Sequence, residues 1–307
     1  MSFTSTVKNE VSKLSTIDSE NISELSAIIR TIGTYRDGIR IVTENASVAR
    51  RVFGLVKDTY DVHPSVSVRK GYNFKKGFLY VLEFHQKKEL ILTDLSILDY
   101  GIYLDVPKSY MVDDEDLLRA YLRGLFLAVG SINDPKTSRY HLEFLVDSKK
   151  YAEFIQKCLN RYDLNSKVLK RDNKYMIYVK EAEKIGDFLR IIKAYDAVMY
   201  YEDIRIYRDH KNMTNRLNNC EQANVDKIIQ TGMEQLKEIE FLEEKGVFDL
   251  LDEKVKIVAT YRKKYPEVSL NELSEIISVE TGTKITKSGI HHRFHKLKEF
   301  VNRIKKD

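Results

Sequence analysis

Two stretches of this chain match at a constant offset, and the repetition constrains the fold more than any other feature. LSAIIRTIGTYRD (residues 25–37) and LRGLFLAVGSIND (122–134) align residue for residue with a shift of 97. Ala27 pairs with Gly124, Gly33 with Gly130, and Asp37 with Asp134. The first copy is followed by an apolar run (38–43), a helical pattern (47–60), strand-like runs (65–69 and 78–84) and another helical pattern (89–98). The second is followed in the same order by 140–146, 149–162, 167–170, 175–179 and 181–192. Each half therefore reads α-β-α-β-β-α, switching between periods of about 3.6 and 2. Such a repeat predicts two copies of one unit about a pseudo-two-fold axis. Small residues at matched positions predict that the repeated helices approach closely. Two unrelated units with a chance match are the alternative.

The halves occupy about 20–100 and 115–195, inside a first domain spanning 1–195. At the start, Ser5 is expected to cap a short amphipathic helix carrying Val7, Val11 and Leu14. No basic tip with an apolar stretch precedes it, so no signal peptide is expected. No run of about 18 apolar residues is present, which argues against a membrane span. Cys158 and Cys220 are too few and too far apart for a disulfide framework or a cysteine-based zinc site. A cytoplasmic protein without membrane partner, cofactor or small-molecule substrate is the expectation.

From 196 to 246 the chain becomes polar and Asn-rich, without glycine or proline as far as residue 227. It is expected to be a structured arm followed by a helix with Val225, Ile228, Ile229, Leu236, Ile239 and Leu242 on one face. Asn215, Arg216, Asn219, Cys220, Glu221 and Asn224 crowd together there. The expected role of this cluster is to fix the arm on the domain. A nucleophilic Cys220 would need a neighbouring base, and none is identifiable.

The last part, 247–307, reads as three helices. The first, 248–264, carries Leu251, Val255, Val258 and Tyr261 and is stopped by Pro266. Ser269 then caps a short helix with Glu272 in the capping-box position. A long turn containing Gly282 leads to a final helix that begins near 286–288 and runs through Val301. Residues 284–306 hold eight Lys/Arg against one acid, in a chain whose net charge is +5. Residues 1–247 are by contrast close to neutral, with 38 basic and 37 acidic side chains. A short middle helix followed by a cationic one describes a helix-turn-helix that binds double-stranded DNA. Ile290, Phe294, Leu297 and Val301 form its buried stripe. The DNA-facing candidates are Ser269, Lys287, Ser288, Gly289, His291, His292, Arg293, His295 and Lys296. Arginine can read guanine bidentately, and Ser and Lys suit phosphates. A helix that merely packs with a solvated basic face is the plainer alternative. His291 and His295 have the spacing of two metal ligands, but no cysteine or acid cluster accompanies them, and no metal site is assigned.

The repeated helix LRGLFLAVG resembles the LAGLIDADG motif of homing endonucleases, and LSAIIRTIG resembles a degenerate copy. In that family a carboxylate before the last glycine of each helix holds divalent metal, and the two acids meet at the axis. The corresponding positions are Ile32 and Val129. Apolar side chains cannot ligate Mg²⁺, which takes oxygen ligands. No catalytic residue is therefore assigned. Asp37 and Asp134 are the nearest matched acids, and turn roles fit them best. A metal-dependent endonuclease using such displaced ligands, and a protein-interaction adaptor, remain the alternatives. In homing endonucleases the two sheets saddle the duplex, which makes Arg69, Lys70, Lys75 and Lys76, with Lys167, Lys170, Arg171 and Lys174, candidate auxiliary phosphate contacts. Ordinary solvated hairpin tips are the alternative.

Taken with NRLNNCEQAN, SLNELSEII…TKSGIHHRFHKL, LLRAYLRGLFLAVGSINDP and YHLEF, the chain resembles the WhiA family of bacterial regulators along essentially its full length. The resemblance implies an α+β protein: a duplicated, non-catalytic LAGLIDADG-like α/β domain, a helical linker, and an all-α helix-turn-helix domain. It also implies transcription control of sporulation, roles in cell division and chromosome segregation, and association with the nucleoid. Other transcription regulators or RNA polymerase are the candidate protein partners.

Overall fold

The computed structural model describes residues 2–70, 77–137 and 139–305. They form two compact units, Met1–Arg208 and Asp209–Asp307. The first opens with α1 (Phe3–Val11), which buries Phe3, Val7 and Val11. Its cap is Ser2 rather than the expected Ser5: the Ser2 hydroxyl accepts the Ser5 N–H, so Ser5 already sits at the third helical position. Leu14 lies beyond the helix and packs against the core.

The first half then runs α2 (Asp18–Ile32), β1 (Gly33–Thr34), β2 (Ile39–Thr43), α3 (Ala46–Tyr60), β3 (Ser65–Lys70), β4 (Phe78–Phe84) and α4 (Lys88–Asp94). A small hairpin, β5 (Leu98–Asp99) and β6 (Ile102–Tyr103), follows. The second half repeats the order with α5 (Glu115–Val129), β7 (Ser131–Ile132), β8 (Leu142–Val146), α6 (Lys149–Asn160), β9 (Lys167–Arg171), β10 (Lys174–Val179) and α7 (Ala182–Ile191). Strand order is β1-β2-β4-β3 in one sheet and β7-β8-β10-β9 in the other. The pairings are antiparallel throughout. Burial alternates along β2 and β8, with Ile39 and Ile41 of one and Leu142, Phe144 and Val146 of the other buried on the face that meets the helices. β1 and β7 escaped the sequence pattern because two residues carry no readable period. The helix expected over 89–98 stops at Asp94, since Ser96 adopts a left-handed φ of 55°.

The repeated helices α2 and α5 pack against each other at the centre. Gly124 makes the approach possible: a Cβ there would stand 2.3 Å from the Glu24 carbonyl oxygen. Leu25, Ile28, Ile29, Leu122, Leu125 and Phe126 are fully buried around the crossing. So are two charged side chains that the sequence did not announce, Glu24 and Arg123. Arg123 Nε donates to Glu24 Oε2 at 2.7 Å, and Arg51 Nε donates to Glu24 Oε1 at 2.8 Å. Glu20 lies 3.3 Å from Arg123 Nη2. A buried carboxylate shared by two guanidiniums is tolerable because its oxygens are occupied by charge-assisted bonds.

α8 (Tyr195–Glu244) is one helix of 50 residues, where an arm followed by a helix was expected. Its first turns belong to the first unit, where Glu10 of α1 accepts the Asp196 and Ala197 N–H groups. The remainder belongs to the second unit, which is completed by α9 (Glu253–Lys264), α10 (Leu270–Thr281) and α11 (Lys287–Ile304). A 3₁₀ turn (Phe248–Leu250) precedes α9, so the helix expected from 248 starts instead after its cap, Asp252. Ile239, Leu242, Leu251, Val255, Val258, Leu273, Ile277, Ile290, Phe294, Leu297 and Val301 form the second core. Of the apolar residues predicted on α8, Ile239 and Leu242 are buried, whereas Val225 is exposed. The cluster around Asn215 and Cys220 does not fasten an arm to a domain, because residues 209–227 are exposed on every side. Among the described residues no helix is long and apolar enough to cross a membrane.

Candidate nucleic-acid interface

The turn into α10 is held by a buried cation. Arg262 donates from Nη1 to the carbonyls of Tyr265, Pro266 and Val268, the last at 2.7 Å, and burial lowers its pKa. That turn presents Ser269, whose hydroxyl accepts the Glu272 N–H while the Glu272 carboxylate accepts the Ser269 N–H. The Ser269 N–H donated to it, with the Ser269 hydroxyl nearby, holds the Glu272 carboxyl below the usual range. α10 continues to Thr281 and ends on Gly282 in the left-handed region, leaving a shorter turn than the sequence suggested. Ser278 Oγ accepts the Ile285 N–H, and Thr286 caps α11 by accepting the Gly289 N–H. The two helices of a helix-turn-helix are thereby fixed.

On α11 the stripe Ile290, Phe294, Leu297 and Val301 is buried as expected. The nine candidates do not form one surface. Helical geometry at about 100° per residue puts Ser288 and His292 opposite the buried stripe, with His295 and Lys296 about 50° to either side, and all four are exposed. Arg293 is half-buried on one flank, and no ion-pair or hydrogen-bond partner is seen for it among the described residues. His291 takes the other flank, and with His295 it lines a groove of about 230 Å³ with Glu234, Gln235 and Glu238 of α8. Lys298 joins them, 3.9 Å from Glu238, whose pKa burial raises. His295 Nδ1 also lies 3.5 Å from Glu299. His291 and His295 remain exposed, but α8 stands beside them, a neighbourhood that the sequence of α11 alone could not reveal.

A second groove, of about 380 Å³, runs between the start of α10 and α8. Ser269 and Lys287 line it with Asn224, Lys227 and Asn271, which the sequence reading had missed. Two helix N-termini with two lysines make an electropositive edge beside the outward face of α11. Among the described residues, no group of three or more His, Cys, Asp or Glu is placed to hold a metal ion.

In the first unit, Ile32 and Val129 end α2 and α5 and pack against the core. Asp134 Oδ1 accepts the Lys136 N–H, a turn role, and Asp37 is exposed beside Gly38. The auxiliary cations are divided by strand alternation. Register puts Arg69, Lys167, Arg171 and Lys174 on the sheet faces away from the helices, and Lys70 and Lys170 on the opposite faces. Lys174 is paired with Asp147 at 3.1 Å. Lys75 and Lys76 lie outside the described residues. The outward face also carries the apolar row Leu145, Met176, Leu169, so it is no continuous cationic track.

A duplicated LAGLIDADG-like body with apolar side chains at both helix ends, joined to a helix-turn-helix unit, defines a class of degenerate, two-part proteins. Residues 18–98 match the WhiA N-terminal LAGLIDADG-like domain, 118–211 the WhiA LAGLIDADG-like domain, and 214–301 the WhiA C-terminal HTH domain. The chain is 40% identical over 310 residues to the probable cell division protein WhiA of Staphylococcus haemolyticus (strain JCSC1435), covering 99% of this chain and 98% of that one. The probable cell division protein WhiA of Staphylococcus carnosus (strain TM300) is 39% identical with the same coverage. This chain belongs to the WhiA family. Among solved structures, full-length DUF199/WhiA from Thermatoga maritima matches with a TM-score of 0.59 at 23% identity, over 99% of each chain. The N-terminal LAGLIDADG domain of DUF199/WhiA matches with a TM-score of 0.50 at 23% identity, over 62% of this chain and 92% of that one.

Proposed function

We propose that this chain is a DNA-binding regulator without catalytic activity, acting in transcription control, cell division and chromosome segregation. In this reading α11 enters the major groove with Ser288, His292, Arg293 and Lys296. Ser269, Gly289 and Lys287, aided by Lys227, meet the adjoining phosphates. His291 and His295 shape the edge of that surface. The duplicated body serves as a docking platform for DNA or for a protein such as another regulator or RNA polymerase. The protein would reside on the nucleoid in the cytoplasm, and in filamentous relatives the role would extend to sporulation. The observation that carries this reading is a helix whose inner face is fully buried while its exposed side holds Ser288, His292 and Lys296, with Lys287 exposed at its start and Arg293 half-buried on its flank. The apolar Ile32 and Val129 at the helix ends support a body without nuclease chemistry.

Fluorescence anisotropy with specific and scrambled duplexes tests it across a salt series. Arg293→Ala should weaken specific binding by a factor of about 5 to 160, corresponding to a bidentate base contact of about 1–3 kcal/mol. Lys296→Ala should weaken binding to every duplex and reduce the salt slope by about one unit. Binding unchanged by both substitutions removes α11 from the interface.

A further inference from the structure

The two halves of the first unit finish their sheets differently. β3 and β9 are the corresponding outer strands, each paired on one side only among the described residues. An exposed outer strand offers unpaired N–H and C=O groups to another chain, and proteins blunt it with lysine, proline or a cover. β9 is blunted. Val168, across from Ile177, is half-buried and packs on the core, and the next residue on that face is Lys170, across from Tyr175. At the same two places β3 carries Val66, across from Leu82, and Val68, across from Tyr80. These valines are 51% and 55% exposed. They wall an apolar groove of about 240 Å³, which Ala49 and Phe53 of α3 and Tyr80 of β4 also line. Duplication thus supplies its own control: one outer strand is guarded and its counterpart is left apolar and open.

We propose that β3 pairs antiparallel with β3 of a second copy of this chain, Ser67 facing Ser67 on a two-fold axis, so that two four-stranded sheets join into one. The strand's own sequence selects that occupant and that register. About a two-fold axis normal to the sheet, each residue opposes one of its own parity, which keeps the valines of both copies on the helix side. With Ser67 on the axis, Val66 of each copy opposes Val68 of the other, and the paired valines close both grooves. An axis at Val66 would set Val68 against Pro64, which precedes the strand and has no N–H to give. An axis at Val68 would set Val66 against the ammonium of Lys70. Charge selects the same register. Arg69 opposes the other copy's Ser65 on the face away from the helices, and Ser65 lies beside Glu83 of β4. The short serine leaves each Arg69 room to reach across it to the other copy's Glu83. Among the described residues Arg69 has no charged partner in its own chain, and the Glu83 side chain, 44% exposed, meets only His85 at 3.8 Å. One strand and one groove make a small interface, and small interfaces belong to transient complexes, so the dimer is a reversible one.

The test uses the full chain without DNA, so its result is independent of duplex recognition. Sedimentation velocity over a wide concentration series should show a monomer–dimer equilibrium. Val68→Lys gives β3 the residue that β9 already carries and should raise the dissociation constant at least about tenfold. The melting temperature should stay unchanged, because Val68 is exposed in the single chain. Arg69→Glu should weaken the dimer severalfold, and the double variant Arg69→Glu/Glu83→Arg should restore it. Facing residues of paired strands lie within the Cα–Cα reach of a disulfide. In a chain that also carries Cys220→Ser, Ser67→Cys should therefore give a covalent dimer with diamide, which takes up the two protons and two electrons released as the S–S bond forms. Ser65→Cys in the same background should give none. A monomer at every concentration overturns the proposal and leaves β3 to a strand of another protein. A dimer indifferent to Val68→Lys overturns it too. Failure of the charge swap to rescue, or equal cross-linking through Ser65→Cys, overturns the register.

Discussion

The ion cluster at the crossing of α2 and α5 gives the sharpest energetic test of the first unit. Glu24→Gln keeps the side-chain volume and removes the charge. Among the described residues Arg123, fully buried, then keeps only Glu20 at 3.3 Å as a charged partner. Arg51 keeps its bonds to Thr16 and the Leu14 carbonyl but also loses a carboxylate. Breaking a buried pair from one side costs about 3–5 kcal/mol, because the remaining charge stays desolvated. For a unit of this size each kcal/mol shifts the melting temperature by roughly 2–4 °C, so a fall on the order of 10 °C is expected. Differential scanning calorimetry should show that fall in the transition of the first unit and none in that of the second. Replacing both partners, Glu24→Met with Arg123→Met, removes the stranded guanidinium and should recover part of the loss, with Arg51 and Glu20 left to their remaining partners. A fall below about 2 °C for Glu24→Gln would refute the reasoning. So would a double variant less stable than the single one.

Two further outcomes follow from buried contacts. Lys8 lies 5.7 Å from the Phe126 ring centre, and burial lowers its pKa to about 8 from 10.5. Between those values the unfolded chain binds more protons, so stability rises with pH through that window. Lys8→Met should therefore raise the melting temperature at pH 7 by an amount that shrinks above pH 8, and a constant difference across a pH series contradicts the assignment. In the second unit, a Cβ at position 232 would stand 2.3 Å from the Pro266 carbonyl oxygen. Gly232→Ala gains about 1 kcal/mol of helix propensity but meets an overpacking cost of about 1–3 kcal/mol and disturbs the turn held by Arg262. A lower melting temperature of the second unit and weaker duplex binding are expected, and a stabilised variant would show that the turn yields.

Much of this architecture was legible because it rests on periodicity. The repeat exposed the duplicated body, and the 4-3-4 spacing of Ile290, Phe294, Leu297 and Val301 exposed the buried side of α11. What stayed hidden depends on partners distant in sequence. The pairing of Glu24 with Arg123 was invisible, because nothing local shows that each supplies the other's counterion. The groove that His291 and His295 line depends on α8, some 55 residues earlier in the chain. The continuity of α8 was missed for a different reason. Its composition permits a helix, but a middle segment without buried residues gives no apolar signal strong enough to distinguish it from an arm.

The central cluster also makes the duplication irreversible in a physical sense. At an offset of 97, Glu24 corresponds to Tyr121 and Arg123 to Ser26, so acid and base sit on different halves at unmatched positions. Two copies of the first half brought together would leave each Glu24 with the Arg51 of its own half but without Arg123, and two copies of the second would strand their arginines without a counterion. Each half has become a key cut for its sibling alone. Fusion into one chain has thus freed the two to drift apart in surface chemistry while barring their exchange between molecules.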